Sequence, residues 1–403
     1  MLKTNPLLSS RAINTPASPI RSLSPFARAA RAAGKKVYNL NIGQPDLTTP
    51  KEFFDGLALY KSEVVAYEIS EGNLGLRTNW CNYLERTSQI KVAPEQMLIT
   101  TGASEGLVFS FMVTCDPGSE VIVFEPTYAN YMGFAAISGV HLVPVTTALE
   151  DGFSLPPISE VIKKLTANTR AILICNPNNP TGTLYSDRQI KDLLALCEEH
   201  NLFLIVDETY RDLVFEFEPN KSILELAPDS QHVIVVDSLS KRFNLCGARI
   251  GCLISANTDF LAKTLNLAQA RLASPTIDQF ACSHMLQNIS QGFAAQVCAE
   301  YQARRDALHE GLRQISGLKA FKPHGAFYSV LDLPVKNATD FIKFMLGDFT
   351  LDGETVFVAP AAGFYISPQL GESQIRIAGV LKSQDLARAA QVLGAGLKAF
   401  NAK

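Results

Sequence analysis

Eight short runs rich in β-branched residues recur along this chain, at Val37–Ile42, Met97–Thr101, Val121–Phe124, His141–Val145, Ala171–Cys175, Phe203–Asp207, Val233–Ser238 and Arg249–Ile254. Several are apolar throughout rather than alternating, the pattern of strands covered on both faces in a mostly parallel sheet. Helical stretches lie between them. From Ser186 to Glu199, Ser186 and Gln189 form a capping box, and Ile190, Leu193, Leu194 and Cys197 share one face. The chain is therefore expected to be α/β, a mostly parallel central sheet flanked by helices, with ligand groups in loops at the carboxyl ends of strands.

The texture changes after about residue 300. A polar, Arg-rich helix (Tyr301–Leu312) precedes shorter strands near Ala326–Leu331, Val356–Ala359 and Gln374–Gly379, and Leu386, Ala390, Leu393, Leu397 and Phe400 share a face of the closing helix. At 403 residues the chain has room for about two domains. The expected division is an N-terminal arm (1–45) joining the small domain, a large domain (46–291) and a smaller α+β domain (292–403).

Composition narrows the functional classes. Thirty-six Lys and Arg against 39 Asp and Glu give a net charge of −3, which offers no overall grip on nucleic acid or an anionic membrane. No apolar run approaches the ~18–20 residues of a bilayer span. The eight cysteines contain no C-x-x-C and mostly sit in apolar stretches, and the six histidines show no H-E-x-x-H. Reduced thiols, a cytoplasmic location and no metal site are expected. The first acid is Asp46, after seven basic residues (Lys3, Arg11, Arg21, Arg28, Arg31, Lys35, Lys36), which is how a transit peptide begins. Pro16, Pro19 and Pro25 would interrupt a targeting helix, so a structural arm is the favoured reading.

Three strand ends carry the chemistry. Phe203–Val206 runs into Asp207-Glu208-Thr209-Tyr210, Val233–Val236 into Asp237-Ser238-Leu239-Ser240-Lys241, and Ala171–Cys175 into Asn176-Pro177-Asn178-Asn179-Pro180-Thr181-Gly182. A lysine directly after a buried strand is partly desolvated, which makes it a Schiff-base candidate. An aspartate after a neighbouring strand can hold a heteroaromatic nitrogen protonated. Singly, these are a helix cap and a surface charge.

Together, S-L-S-K-R-F-N-L-C-G-A-R-I-G (Ser238–Gly251), N-P-N-N-P-T-G (Asn176–Gly182) and V-D-E-T-Y (Val206–Tyr210) resemble the class I/II aminotransferases, pyridoxal-phosphate enzymes of fold type I. N-I-G-Q-P-D (Asn41–Asp46), Y-E-I-S-E-G-N-L-G-L-R (Tyr67–Arg77), T-T-G-A-S-E-G (Thr100–Gly106), E-P-T-Y (Glu125–Tyr128) and I-R-I-A (Ile375–Ala378) follow in the family's order, so the resemblance spans roughly residues 16–400.

The resemblance implies ping-pong transamination between an L-amino acid and a 2-oxo acid such as 2-oxoglutarate. Lys241 would carry the cofactor as an internal aldimine and shuttle the proton. Asp207 would pair with the pyridinium nitrogen, Asn179 and Tyr210 would hydrogen-bond the phenolic oxygen, and Tyr128 would stack on the ring. Arg249, Ser238 and the backbone of Gly102-Ala103-Ser104 would hold the phosphate. Tyr67 would reach the phosphate of the other subunit, which implies a homodimer with shared sites. Arg376 would clamp the substrate α-carboxylate, with Gly43 close to it.

Substrate choice stays open between an aspartate-like donor and alanine, aromatic or other neutral amino acids. The position where one dicarboxylate-specific subgroup carries lysine is Ser104 here. Burying a second carboxylate unpaired would cost several kcal/mol, so a cation is needed: Arg271 first, Arg21 in reserve. A lyase or decarboxylase on the same fold is an alternative. So is an α/β-hydrolase, because Gly102–Gly106 also reads G-x-S-x-G after a strand, with Ser104 as nucleophile and His324 as the late histidine at a strand-like edge.

Overall fold

A computed structural model describes residues 7–17, 20–216 and 221–403. Lys3 of the basic start, and Ser18 and Pro19 beside Arg21, lie outside the described residues. The first strand, β1 (Lys36–Asn39), precedes the strands of the central sheet: β2 (Met97–Thr100), β3 (Glu120–Glu125), β4 (His141–Thr146), β5 (Thr169–Cys175), β6 (Phe203–Asp207), β7 (Val233–Ser238) and β8 (Gly251–Ile254). Their spatial order is β2-β8-β7-β6-β5-β3-β4. Only β8 runs against the rest, antiparallel to both β7 and β2.

Alternation along the strands explains why both faces are dry. On β5, Ile172 and Ile174 enter one core with Trp80, Leu193 and Met285, while Ala171, Leu173 and Cys175 enter the opposite core with Phe111 and Tyr131. The helix Asp187–Glu199 covers the first face, and its capping box is formed: Ser186 N–H donates to Gln189 Oε1 at 3.0 Å. Cys81, Cys115, Cys175, Cys197, Cys252 and Cys282 are buried free thiols.

The remaining strands are β9 (Lys319–Ala320), β10 (Tyr328–Asp332), β11 (Glu354–Phe357), β12 (Ala359–Pro360) and β13 (Gln374–Ala378). Four of them form an antiparallel sheet in the order β12-β13-β10-β9. The run around Val37 does not join the central sheet; β1 pairs in parallel with β11 instead. The reason is its pattern: Lys36 and Asn39 are exposed while Tyr38 is buried, which suits a one-sided sheet. Leu23, Ala27, Tyr38 and Leu40 share a core with Leu308, Leu331, Ile377 and Leu393. The helix Phe293–Leu312 joins the cores, with Val297 and Tyr301 in one and Leu308 and Leu312 in the other.

Candidate active site

Parallel strands bring their carboxyl ends to one edge, and this edge collects Asn176–Asn179 after β5, Asp207 at the end of β6 and Ser238–Lys241 after β7. The antiparallel β8 brings its beginning to the same edge. Gly251 stands opposite both Ser238 and Thr100, so Arg249 and the helix Gly102–Thr114 arrive beside Lys241. Here lies a cavity of about 480 Å³, within the usual ~300–1,000 Å³ of small-molecule sites.

Its wall includes Gly43, Ala103, Ser104, Tyr128, Asn179, Asp207, Tyr210, Ser238, Lys241, Arg249 and Arg376, all singled out from sequence. Gly102 stands directly behind Arg249. It has φ +73°, the left-handed conformation that favours glycine, and a Cβ there would lie 2.7 Å from Arg249 Nη2 and push that guanidinium aside. Arg249 donates to the Cys246 carbonyl at 3.0 Å.

Asp207 is buried, accepting from Tyr131 Oη at 2.7 Å and from the Thr209 N–H at 3.1 Å. Burial pushes its carboxyl up from the ordinary value, the two donors pull it down, and the net direction is up. No cation pairs with it among the described residues. Lys241 donates to the Gly43 carbonyl at 2.9 Å and lies 3.6 Å from Cys246 Sγ. Ser238 caps the short helix Leu239–Arg242, and its hydroxyl lies 2.8 Å from that of Ser240.

Arg376, on β13, is 3% exposed. It donates to the Asn41 carbonyl at 2.7 Å and to Asn179 Oδ1 at 3.3 Å, while its Nε finds no protein partner. Its guanidinium rests 4.5 Å from the Tyr328 ring centre and 4.7 Å from that of Phe364. Burial pulls its pKa below the ordinary value, and no carboxylate among the described residues opposes that.

Two residues lie elsewhere. Arg271 ends the helix Thr258–Arg271 and does not line the cavity; its Nε pairs with Glu105 at 3.2 Å and its Nη2 donates to the Ile99 carbonyl at 3.2 Å. Those contacts occupy the charge that a distal carboxylate would need. Tyr67 is 83% exposed and outside its own chain's cavity. Arg21, the reserve cation, does line the cavity, on the turn Arg21–Leu23 anchored by buried Leu23. No histidine lines it, and His324 packs against Phe321 instead, so Ser104 lacks the histidine that the hydrolase reading needs.

Sequence reasoning missed Tyr131, Tyr328 and Cys246. Tyr131 follows Tyr128 by three residues at the entry to the helix Asn130–Ser138, and that spacing was a usable signal; the rings meet edge to face at 5.4 Å. Tyr328 reaches the cavity only through the pairing of β10 with β13, which no local pattern displays.

Fold and cavity together define a fold type I transferase. The chain matches the model of the family Aminotransferase class I and II over residues 35–393. It is 32% identical over 327 residues to the probable aspartate/prephenate aminotransferase of Thermus aquaticus, covering 78% of this chain and 83% of that one. Among solved structures, it superposes on the aspartate aminotransferase of Thermus thermophilus with maleate at a TM-score of 0.86 and 28% identity, covering 96% and 99% of the two chains. An alanine aminotransferase from Pyrococcus furiosus gives 0.88 and 28%, covering 97% and 100%. The chain belongs to the class I and II aminotransferases, a family of pyridoxal-phosphate enzymes, and it is a transaminase.

Proposed function

We propose that the cavity holds pyridoxal phosphate on Lys241 and transaminates a dicarboxylic amino acid, aspartate or glutamate, with 2-oxoglutarate as acceptor. The observation that carries this reading is the charge on the wall. Four cations (Arg21, Lys241, Arg249, Arg376) face one carboxylate, Asp207, while Asp207 and Arg376 are buried without opposite charges among the described residues. Buried charges require partners, so the natural ligand brings one cationic group and several anionic ones.

When bound, the cofactor supplies a protonated heteroaromatic ring that accepts the electrons released at the substrate Cα. Asp207 would keep that ring nitrogen protonated. Asn179 and Tyr210 would donate to the phenolic oxygen, and Tyr128 would lie against the ring. Arg249, Ser238 and the N–H groups of Gly102, Ala103 and Ser104 would take the phosphate at the start of the helix, where the macrodipole favours an anion. Lys241, displaced by substrate, would carry the proton from Cα. Arg376 would receive the α-carboxylate beside Gly43. Residues 46–291 would form the cofactor domain, and residues 292–403 with the arm 1–45 the smaller one. Buried free thiols support a reducing, cytoplasmic setting.

With those partners assigned, only Arg21 is left. Its side chain is exposed at the cavity and has neither ion pair nor hydrogen bond among the described residues. Arg21, rather than Arg271, would therefore bind the second carboxylate. Loss of that pair is expected to lower kcat/KM for aspartate about 10- to 100-fold in Arg21→Gln. A single-turnover panel of amino acids on wild type and variant tests this. Alanine should be unaffected, and equal losses for both would refute the assignment; a wild type preferring neutral donors would refute the dicarboxylate substrate itself.

The segment around Tyr67 supports a homodimer. Val64, Val65, Tyr67, Ile69 and Leu74 are 50–83% exposed, an apolar density that monomers seldom leave in water. If Tyr67 completes a partner's phosphate site, mixing Tyr67→Phe with Lys241→Ala should restore activity. One site of the mixed dimer then carries both lesions and the other neither. No recovery after confirmed subunit exchange would mean each site is built within one chain.

A further inference from the structure

Tyr328 is the first residue of β10 and is 3% exposed, yet its hydroxyl reaches the cavity wall. It lies 3.0 Å from the hydroxyl of Tyr210, which follows β6 of the central sheet. The two rings meet at 78° with centres 5.6 Å apart, so the contact is held by packing as well as by the hydrogen bond. Tyr328 also carries the Arg376 guanidinium on its ring face. Its hydroxyl faces Gly43 so closely that a Cβ there would overlap it, and the Gly43 carbonyl is the acceptor for Lys241. One side chain thus touches three groups assigned to cofactor and substrate, and it does so from the strand paired with the one that carries Arg376.

We infer that Tyr328 is a positioning residue that acts through Tyr210, by donating its hydroxyl proton to the Tyr210 oxygen. The direction of that bond follows from proton counting. Each phenol has one proton to give. On the proposed function, which this inference rests on, Tyr210 gives its proton to the phenolic oxygen of the cofactor. Its own oxygen is then the acceptor, and Tyr328 must be the donor. A hydroxyl that accepts one hydrogen bond donates a stronger second one, by about 10–30% per bond. Tyr328 would therefore strengthen the hold of Tyr210 on the negative form of the cofactor's oxygen. Because β10 is paired with β13, it would also tie that hold to the strand that receives the substrate carboxylate.

The test is a pH titration of the visible absorbance of the holoenzyme. Donors to the cofactor oxygen favour the form that has lost its proton, so removing one raises the midpoint. Tyr328→Phe keeps the ring, the edge-to-face packing and the seat of Arg376, and it is expected to shift the midpoint upward by about 0.3–1 pH unit. Tyr210→Phe should shift it further, and adding Tyr328→Phe to Tyr210→Phe should change nothing more, because the path runs through one oxygen. An unmoved midpoint in Tyr328→Phe, or equal shifts in both backgrounds, would overturn the assignment. A purely structural role would instead lower thermal stability and leave the midpoint in place. A wild type that develops no visible band with pyridoxal phosphate would defeat the reading of the site itself, a separate outcome from a band with an unmoved midpoint.

Discussion

Lys241→Ala is expected to abolish the visible band that the wild type develops with pyridoxal phosphate and to slow single turnover by at least about 10⁴-fold. On the proposed function, two roles would leave with one side chain: the covalent hold on the cofactor and the base that moves the Cα proton, the latter alone worth about 10²–10⁴. The fold should survive. Lys241 is only partly buried and its Nζ contacts are to the Gly43 carbonyl and Cys246, groups that cavity water can satisfy. Behind it, Arg242 and Arg211 pair with Asp237 and Asp212 in a buried network of 2.7–3.5 Å contacts that does not involve Lys241. Circular dichroism and thermal midpoint should therefore match the wild type while the absorbance disappears. Retained colour together with retained turnover would show that another amine does the work.

The residues legible from sequence are those whose placement is local. Asp207 and Lys241 each follow an apolar run by a fixed short step, and a parallel sheet brings every such step to one edge. Even Arg249, which precedes its strand, obeys the rule once β8 is known to run backwards. What sequence did not display is what depends on tertiary contacts between distant elements. Arg271 lies near the right region of the chain, but the end of its helix meets Glu105 from the helix Gly102–Thr114, and the charge is consumed there. Arg21, more than 200 residues away, is delivered by a turn whose Leu23 is buried in another core. Tyr328 is one aromatic among many until the pairing of β10 and β13 sets it beside Arg376. The run at β1 illustrates a pattern read too coarsely. Its ends, Lys36 and Asn39, are polar and exposed and only Tyr38 is fully buried, which distinguishes it from β5, β6 and β7, and it joins a two-stranded sheet instead.

Arg376→Met should separate function from stability. A guanidinium 3% exposed, with no carboxylate beside it among the described residues and its Nε unpartnered there, is a burden on the free protein, tolerable because of two carbonyl acceptors and two aromatic faces. Replacing a buried charge with an apolar chain of similar reach is often neutral or stabilising. The thermal midpoint of the variant is thus expected to hold or rise. Its kcat/KM should fall about 30- to 5,000-fold, the 2–5 kcal/mol of a buried charge-assisted pair, because on the proposed function every amino-acid substrate would present its α-carboxylate there. The loss should be the same for aspartate and alanine, unlike that of Arg21→Gln, which concerns dicarboxylates alone. A primary amine without a carboxylate should react with the Arg376→Met holoenzyme as it does with the wild type. If instead the variant unfolds at lower temperature and loses amine and amino-acid turnover in parallel, Arg376 is a structural residue and the α-carboxylate must be held by another of the cavity's cations.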